Sequence, residues 1–286
     1  MLAGIEAGGT KFICGVADKP NHILDQVVFP TGNPEETLAR VFDYFAKYEI
    51  DSLGVGSFGP IDTNPDSSNY GYVTSTPKLK WQNFDFLGRL QDKYSCPIAW
   101  TTDVNAAAMG EFKLGAGQGL DSLLYLTIGT GIGGGFVYQG QIYQTKGTPE
   151  MGHLGLARHP HDSASGICPF HGDCLEGLAS GPAIEARAGM KGHFLKADSD
   201  EWEIESYYLA QALMTYTLVL RPDRIILGGG VMHQTHLFPL LRSKLRDMLA
   251  GYLPIEDYES YIQAPGLKDQ AGLIGSLVLA DQLASV

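Results

Sequence analysis

The sequence predicts an α/β protein of two domains. Each half opens alike: "MLAGIE", a glycine turn and "KFICGVAD" in the first, "SLLYLTI", "GTGIGGG" and "GFVYQG" in the second. Each half then alternates helices with strands, the pattern of sheets covered by helices. The 286 residues, 44% hydrophobic and 18% charged, suit one large domain or two ordinary ones with a sizeable core. Residue identity between the halves is low, so the repeat is one of pattern. The boundary falls near Gly115–Gly119, giving domains of residues 1–117 and 118–271.

Along the first half, "MLAGIE", "KFICGVAD" and "ILDQVVFP" read as strands. "NPEETLARVFDYFAKY" reads as a helix, capped by Asn33, with Pro34 in its first turn and acids leading it. "SLGVGSFGPID" is a buried strand and a Gly/Pro turn, "DFLGRLQDKY" a helix, "PIAWTTD" a strand, and "VNAAAMGEFKLGAG" an Ala-rich helix ended by glycines. In the second half "ESYYLAQALMTYTLVL", "LFPLLRSKLRDMLAGYL" and "GLIGSLVLADQLASV" read as helices, "RIILGGG" as a strand and turn, and "SYIQAP" as a strand.

Charge narrows the function. A formal net charge of −12 argues against a nucleic-acid surface, which needs a basic face. No apolar run is long enough for a membrane span, and "MLAGIEAGGTKF" lacks a signal peptide's basic start and apolar middle, so a cytoplasmic protein is expected. Of four Cys, Cys14 and Cys96 read as core filling. A disulfide framework does not suit that Cys density or compartment.

Three glycine turns carry candidate chemistry. In "GIEAGGTKF", Gly8 and Gly9 are expected to reach positive φ and bare their amides, and Thr10 and Lys11 can donate to an anion. The stretch is a phosphate seat without P-loop spacing. "GTGIGGG" holds G-x-G-x-x-G from Gly129 to Gly134, but the residues after it alternate like a hairpin, whereas the dinucleotide fingerprint needs a helix. It reads as a phosphate-binding hairpin with Thr130 and backbone amides as donors; a dinucleotide loop and an unliganded hairpin are the alternatives. "LGGGVM", Gly228–Met232, fits either close approach to a base or ribose, or tight strand-to-helix packing. The turns of the two domains are expected to face each other across a cleft and share the phosphates of one nucleotide.

Asp103 ends a strand and opens a helix. A helix cap is the plain reading, and a carboxylate that takes a hydroxyl proton during phosphoryl transfer is the functional one. Glu150 in "PEMGH" and Glu176 in "CLEG" are apt acceptors for sugar hydroxyls, or solvated loop acids. "ICPFHGDC" places Cys168, His171 and Cys174 at metal-ligand spacing, with His153 upstream. Two thiolates and two imidazoles fit a closed structural zinc site. A Cys168–Cys174 disulfide is the alternative, and His159 and His161 are rival fourth ligands.

With "GIEAGGTK", "TDVNAAAMGE", "LTIGTGIGGG", "EMGH", "CPFHGDCLEGLASGPAIEAR" and "ILGGGVM" in this order, the chain resembles the ROK sugar kinases. Their fold is the two-domain actin-like ATPase (ribonuclease H-like) fold, and within them the chain looks most like the bacterial fructokinase branch. The resemblance implies that Gly8, Gly9, Thr10 and Lys11 hold ATP phosphates from one domain, and Thr130 and Gly131 from the other. It implies that Pro182 and Gly228, Gly229, Gly230, Val231 and Met232 line the adenosine site, and that Asp103 is the catalytic base. Glu150, His153 and Glu176 would hold sugar hydroxyls beside Asp103, with His153 also ligating zinc alongside Cys168, His171 and Cys174. Magnesium would accompany ATP, the helix at about 272–286 would pack back on the first domain, and a homodimer is usual.

Three departures stand out. Glu6 replaces the family's usual Asp near magnesium. Thr102 replaces the Asn before the catalytic Asp, which alters one sugar contact. His171 replaces one Cys of the zinc cluster. The expectation is phosphorylation of fructose to fructose 6-phosphate, with mannose, glucose or an N-acetylhexosamine as other sugars. A sugar-binding regulator without catalysis and a nicotinamide enzyme are the readings from other classes.

Overall fold

The computed structural model describes residues 1–284; residues 285–286 of the expected last helix lie outside the described residues. The chain forms two compact units. The first holds residues 1–119, 135–149 and the chain from Gly266 on; the second holds residues 120–134 and 150–265. Residues 135–149 thus group with the first unit, although the pattern of strands places them in the second half.

The first unit begins with β1 (Leu2–Ala7), β2 (Lys11–Lys19) and β3 (His22–Pro30), followed by α1 (Pro34–Phe45) and β4 (Ser52–Ser57). A small ribbon, β5 (Tyr72–Val73) with β6 (Phe84–Asp85), precedes α2 (Phe86–Gln91), β7 (Ile98–Thr102) and α3 (Asp103–Leu114). The sheet order is β3-β2-β1-β4-β7. β1, β2 and β3 pair antiparallel, while β4 runs parallel to β1 and β7. Asn33 caps α1 by accepting from the Glu36 amide at 2.9 Å, and Pro34 sits where no amide partner is needed. α2 is shorter than its apolar pattern suggests; Asp85 caps it by accepting from the Gly88 amide. Phe12, Trp81 and Phe86 form an aromatic core, with ring centroids 5.4–6.0 Å apart.

The second unit contributes β8 (Ser122–Ile128) and the start of β9 (Ile132–Tyr138), which leads to β10 (Gln141–Ile142). It then runs through α4 (Leu175–Ala179), α5 (Gly181–Ala188), α6 (Asp200–Leu220), β11 (Ile225–Gly228), α7 (Leu237–Leu249), α8 (Tyr258–Tyr261) and β12 (Ile262–Gln263). The second sheet has the order β10-β9-β8-β11-β12, with β11 parallel to β8 and β12. α6 starts earlier than expected because Asp200, Glu201 and Glu203 suit a helix's first turn. "SYIQAP" keeps only two strand residues, since Tyr258–Tyr261 form a helical turn capped by Asp257.

The last helix, α9 (Ala271–Ala284), packs on β1, β4 and α3 within the first unit. Its residues Ala271–Ala280 are all buried, so it carries no polar face. The approach is close enough to require glycine. A Cβ on Gly54 would lie 1.8 Å from the Ser276 carbonyl oxygen, and one on Gly275 would lie 1.7 Å from that of Ala106. Among the described residues, no helix is long and apolar enough to cross a membrane.

Candidate active site

In the first unit, the turn between β1 and β2 is closed by the Gly8 amide, which donates to the Lys11 carbonyl at 2.9 Å. Gly8 is therefore not an amide donor for an anion. Neither Gly8 nor Gly9 adopts positive φ, contrary to expectation. Gly8 is instead required by crowding, because a Cβ there would stand 2.8 Å from the Lys11 carbonyl oxygen. The amides of Gly9 and Thr10 have no hydrogen-bond partner among the described residues. The Thr31 amide and hydroxyl brace the turn by donating to the carbonyls of Thr10 and Gly8.

Asp103 is the first residue of α3, directly after β7. Thr102 caps that helix, its hydroxyl accepting from the Asn105 amide at 3.2 Å. The N-cap position therefore belongs to Thr102, and Asp103 serves the helix end through one oxygen alone, Oδ1, which accepts from the Val104 amide at 2.9 Å. Glu6, on β1, faces the same region. Burial pushes its carboxyl up to about 7, with the negative charge of Asp103 adding and Lys11 opposing. Its Oε2 is buried with no hydrogen-bond partner.

In the second unit the Gly129 amide closes its turn on the Gly131 carbonyl at 2.9 Å. The Thr130 and Gly131 amides have no partner among the described residues, as in the first turn. The turn is pinned on two sides. The Gly181 amide donates to the Gly129 carbonyl at 2.7 Å, and the Ile132 amide donates to Glu176 Oε2 at 2.9 Å. One oxygen of Glu176 is thus engaged with the backbone, and a Cβ on Gly131 would come within 2.6 Å of it. A strand comes directly after the turn, which removes the dinucleotide reading. Pro182 lies in the first turn of α5, which Ser180 caps.

The third turn divides by residue. Packing explains Gly228 and Gly229: a Cβ on Gly228 would strike the Tyr125 hydroxyl at 2.2 Å, and Gly229, at φ 89°, abuts the Ile128 backbone. Gly230 faces open space. Val231 and Met232 are buried, and Val231 lies against Gly181.

Glu150 stands before the helical turn Met151–His153. Desolvation by the surrounding chain pushes its carboxyl up, Glu176 adds to this, and His153 opposes it. His153 Nδ1 lies 3.4 Å from Cys174 Sγ and 3.8 Å from Cys168 Sγ, and His171 Nδ1 lies 3.7 Å from Cys168 Sγ. All four ligand atoms lie within 4.8 Å of one another. Zinc bonds of about 2.3 Å to sulfur and 2.0 Å to nitrogen imply tetrahedral edges of roughly 3.5 Å. Gly172, at φ 58°, turns the Cys168–Gly172 loop, and the Leu175 amide joins the Leu154 carbonyl to bring His153 beside Cys174. Cys168 and Cys174 are free thiols, so the disulfide alternative falls. His159 and His161 lie outside the group: the His161 amide donates to His159 Nδ1, and the His159 ring meets Tyr207.

Sequence reasoning left Arg187 and Asp162 without a role. Arg187 is buried, sits 3.4 Å from Asp162 and 3.8 Å from Glu205, and donates to the Leu178 carbonyl. Asp162 also accepts from the Tyr208 hydroxyl at 2.7 Å. This buried network ties α5 and α6 to the segment leading into the cysteine loop. Arg158 adds an ion pair with Asp173 at 2.6 Å. The only signal was an Arg closing "GPAIEAR" and an Asp following "RHPH".

The ROK family model matches residues 2–283. A Bacillus subtilis (strain 168) relative is 49% identical over 286 residues, 99% of this chain and 96% of its own. The fructokinase of Pediococcus pentosaceus is 44% identical over 280 residues, 98% of this chain and 97% of its own. Among solved structures, the ROK hexokinase from Thermus thermophilus aligns with a TM-score of 0.79 at 28% identity, covering 99% of each chain. The two like-ordered sheets are those of the actin-like ATPase fold. With a family match over nearly its whole length and the glycine turns, carboxylates and Cys/His group set out on that fold, the chain belongs to the ROK family.

Proposed function

We propose that the protein is a fructokinase that transfers the terminal phosphoryl group of ATP to the primary hydroxyl of free fructose, giving fructose 6-phosphate. The position of Asp103 carries the reading: it opens α3 beside Glu6, and the capping duty that would explain it belongs to Thr102. The name of the Pediococcus relative supports fructose as the sugar.

Asp103 accepts the hydroxyl proton as the sugar oxygen forms its bond to phosphorus, and the bond to the bridging oxygen breaks to release ADP. The amides of Gly9, Thr10, Thr130 and Gly131 and the Lys11 ammonium offset charge on the phosphates. Pro182 and Gly228–Met232 border the adenosine, with Gly230 the glycine left open for it. Glu150, His153 and the unengaged oxygen of Glu176 hold sugar hydroxyls. Magnesium fits beside Glu6, whose buried Oε2 lacks a partner, and would neutralise phosphate charge there. His153, Cys168, His171 and Cys174 would hold a structural zinc that orients Glu150 and Glu176. The working form is a cytoplasmic homodimer.

ADP release measured with fructose, mannose, glucose and N-acetylmannosamine tests the substrate; no ADP with any of them ends the kinase reading. Asp103→Asn is expected to keep fructose binding and lose turnover by about 10²- to 10⁴-fold. Near-normal turnover in that variant would remove Asp103 from its role.

A further inference from the structure

The first glycine turn has a second lysine at hand. Lys78 is half-buried, and its Cε lies 3.6 Å from where a Cβ on Gly9 would stand. Its backbone is held in place. The Lys78 amide donates to the Thr76 hydroxyl at 3.3 Å, and its carbonyl accepts from the Trp81 amide at 2.8 Å. Trp81 is buried among Phe12, Phe58 and Phe86, and its indole N–H donates to the Gly32 carbonyl at 2.9 Å. An anchored segment, not a loose loop, therefore delivers the Lys78 stem to the turn.

The two lysines at this turn are placed differently. Lys11 acts on a carboxylate, since its charge pulls the Glu6 proton affinity down. The Lys78 ammonium has no hydrogen bond or ion pair among the described residues. The Gly9 and Thr10 amides at the same turn also lack partners. A cation and two unpartnered backbone donors at one turn make a seat for a phosphate oxygen. A compact ammonium on a flexible stem can follow such an oxygen as the group moves.

We propose that Lys78 is a catalytic residue that binds the terminal phosphoryl group of the nucleotide at the Gly9–Thr10 turn. Its part in transfer rests on the kinase reading; the phosphate contact does not. The ligand class is a nucleoside triphosphate, distinguished from the diphosphate by the oxygen that Lys78 contacts.

The test uses the full chain and two measurements. Calorimetry compares binding of AMPPNP, a non-transferable ATP analogue, with binding of ADP; a coupled assay tracks ADP release with fructose. Lys78→Met keeps the stem and removes the charge. It is expected to weaken AMPPNP binding about 10- to 100-fold, leave ADP binding near wild type, and lower kcat at least as far. Lys80→Met, at an exposed neighbour, should match wild type. Should the Met variant fail to fold, Lys78→Gln supports the same comparison. An unchanged AMPPNP-to-ADP affinity ratio overturns the proposal. Loss of that ratio in the variant, with a wild-type chain that releases no ADP, would overturn the kinase reading and leave the phosphate contact standing.

Discussion

Glu6 shows how one extra methylene changes a site. Its carboxyl reaches the start of α9, where it accepts from the Leu273 amide and would leave only 2.4 Å to a Cβ on Gly272. Burial raises its pKa from 4.5 to about 7. The folded state therefore binds the proton more tightly than the unfolded chain. The stability it contributes is fully present below pH 4.5 and is lost as pH rises through 7. In the absence of nucleotide and magnesium, Glu6→Gln should gain up to about 3 kcal/mol at pH 8 and nothing near pH 4. Urea unfolding at the two pH values checks this, and an equal gain at both would refute it. Residue identities were legible in the sequence; their duties were less so. Asp103 was ambiguous until Thr102 took the cap, because adjacent polar residues at a strand end compete for one role. Gly8 and Gly9 could be recognised as a turn. Which amide the turn consumes depends on the pairing of Ala7 with Phe12.

At the scale of elements, local chemistry decided what could be read. α1 announced itself through Asn33 and Pro34, and the hairpin after "GTG" through its alternation. β12 was read too long, because Asp257 caps a helical turn over Tyr258–Tyr261 that takes the first residues of "SYIQAP". The Cys/His loop was legible from spacing alone, whereas the Arg187–Asp162 support beneath it was not. That support needs residues distant in sequence, from Asp162 to Tyr208, to meet. The loop between His153 and Glu176 has little regular structure, so its order should depend on the metal. One zinc per chain is expected by elemental analysis. Chelation should raise hydrogen exchange across residues 153–176 while β1, β2 and β4 stay protected. A zinc-free protein with an ordered loop would count against the site.

At the scale of the molecule, each sheet carries the same spatial sequence of strands, which the repeat of pattern anticipated although residues were not repeated. The second unit leaves large apolar side chains uncovered, among them Val219 at 73% and Tyr252 at 82% exposure. A homodimer that covers them would explain their presence in a chain of net charge −12. Light scattering should give twice the mass of one chain, and Val219→Asp should halve it; a wild-type monomer would exclude the dimer.

Glu111 gives the first unit an unusual closure. This fully buried carboxylate accepts from the Ala116 amide at 2.8 Å, the Gly266 amide at 3.0 Å and the Leu267 amide at 2.8 Å. A single side chain thus fastens the point where the polypeptide departs and the point where it comes back. Between those two stitches the chain builds the second unit, rejoining the first through residues 135–149. Length gained or lost within the second unit costs the sheet that leads into Asp103 little, since its loose ends are already tied.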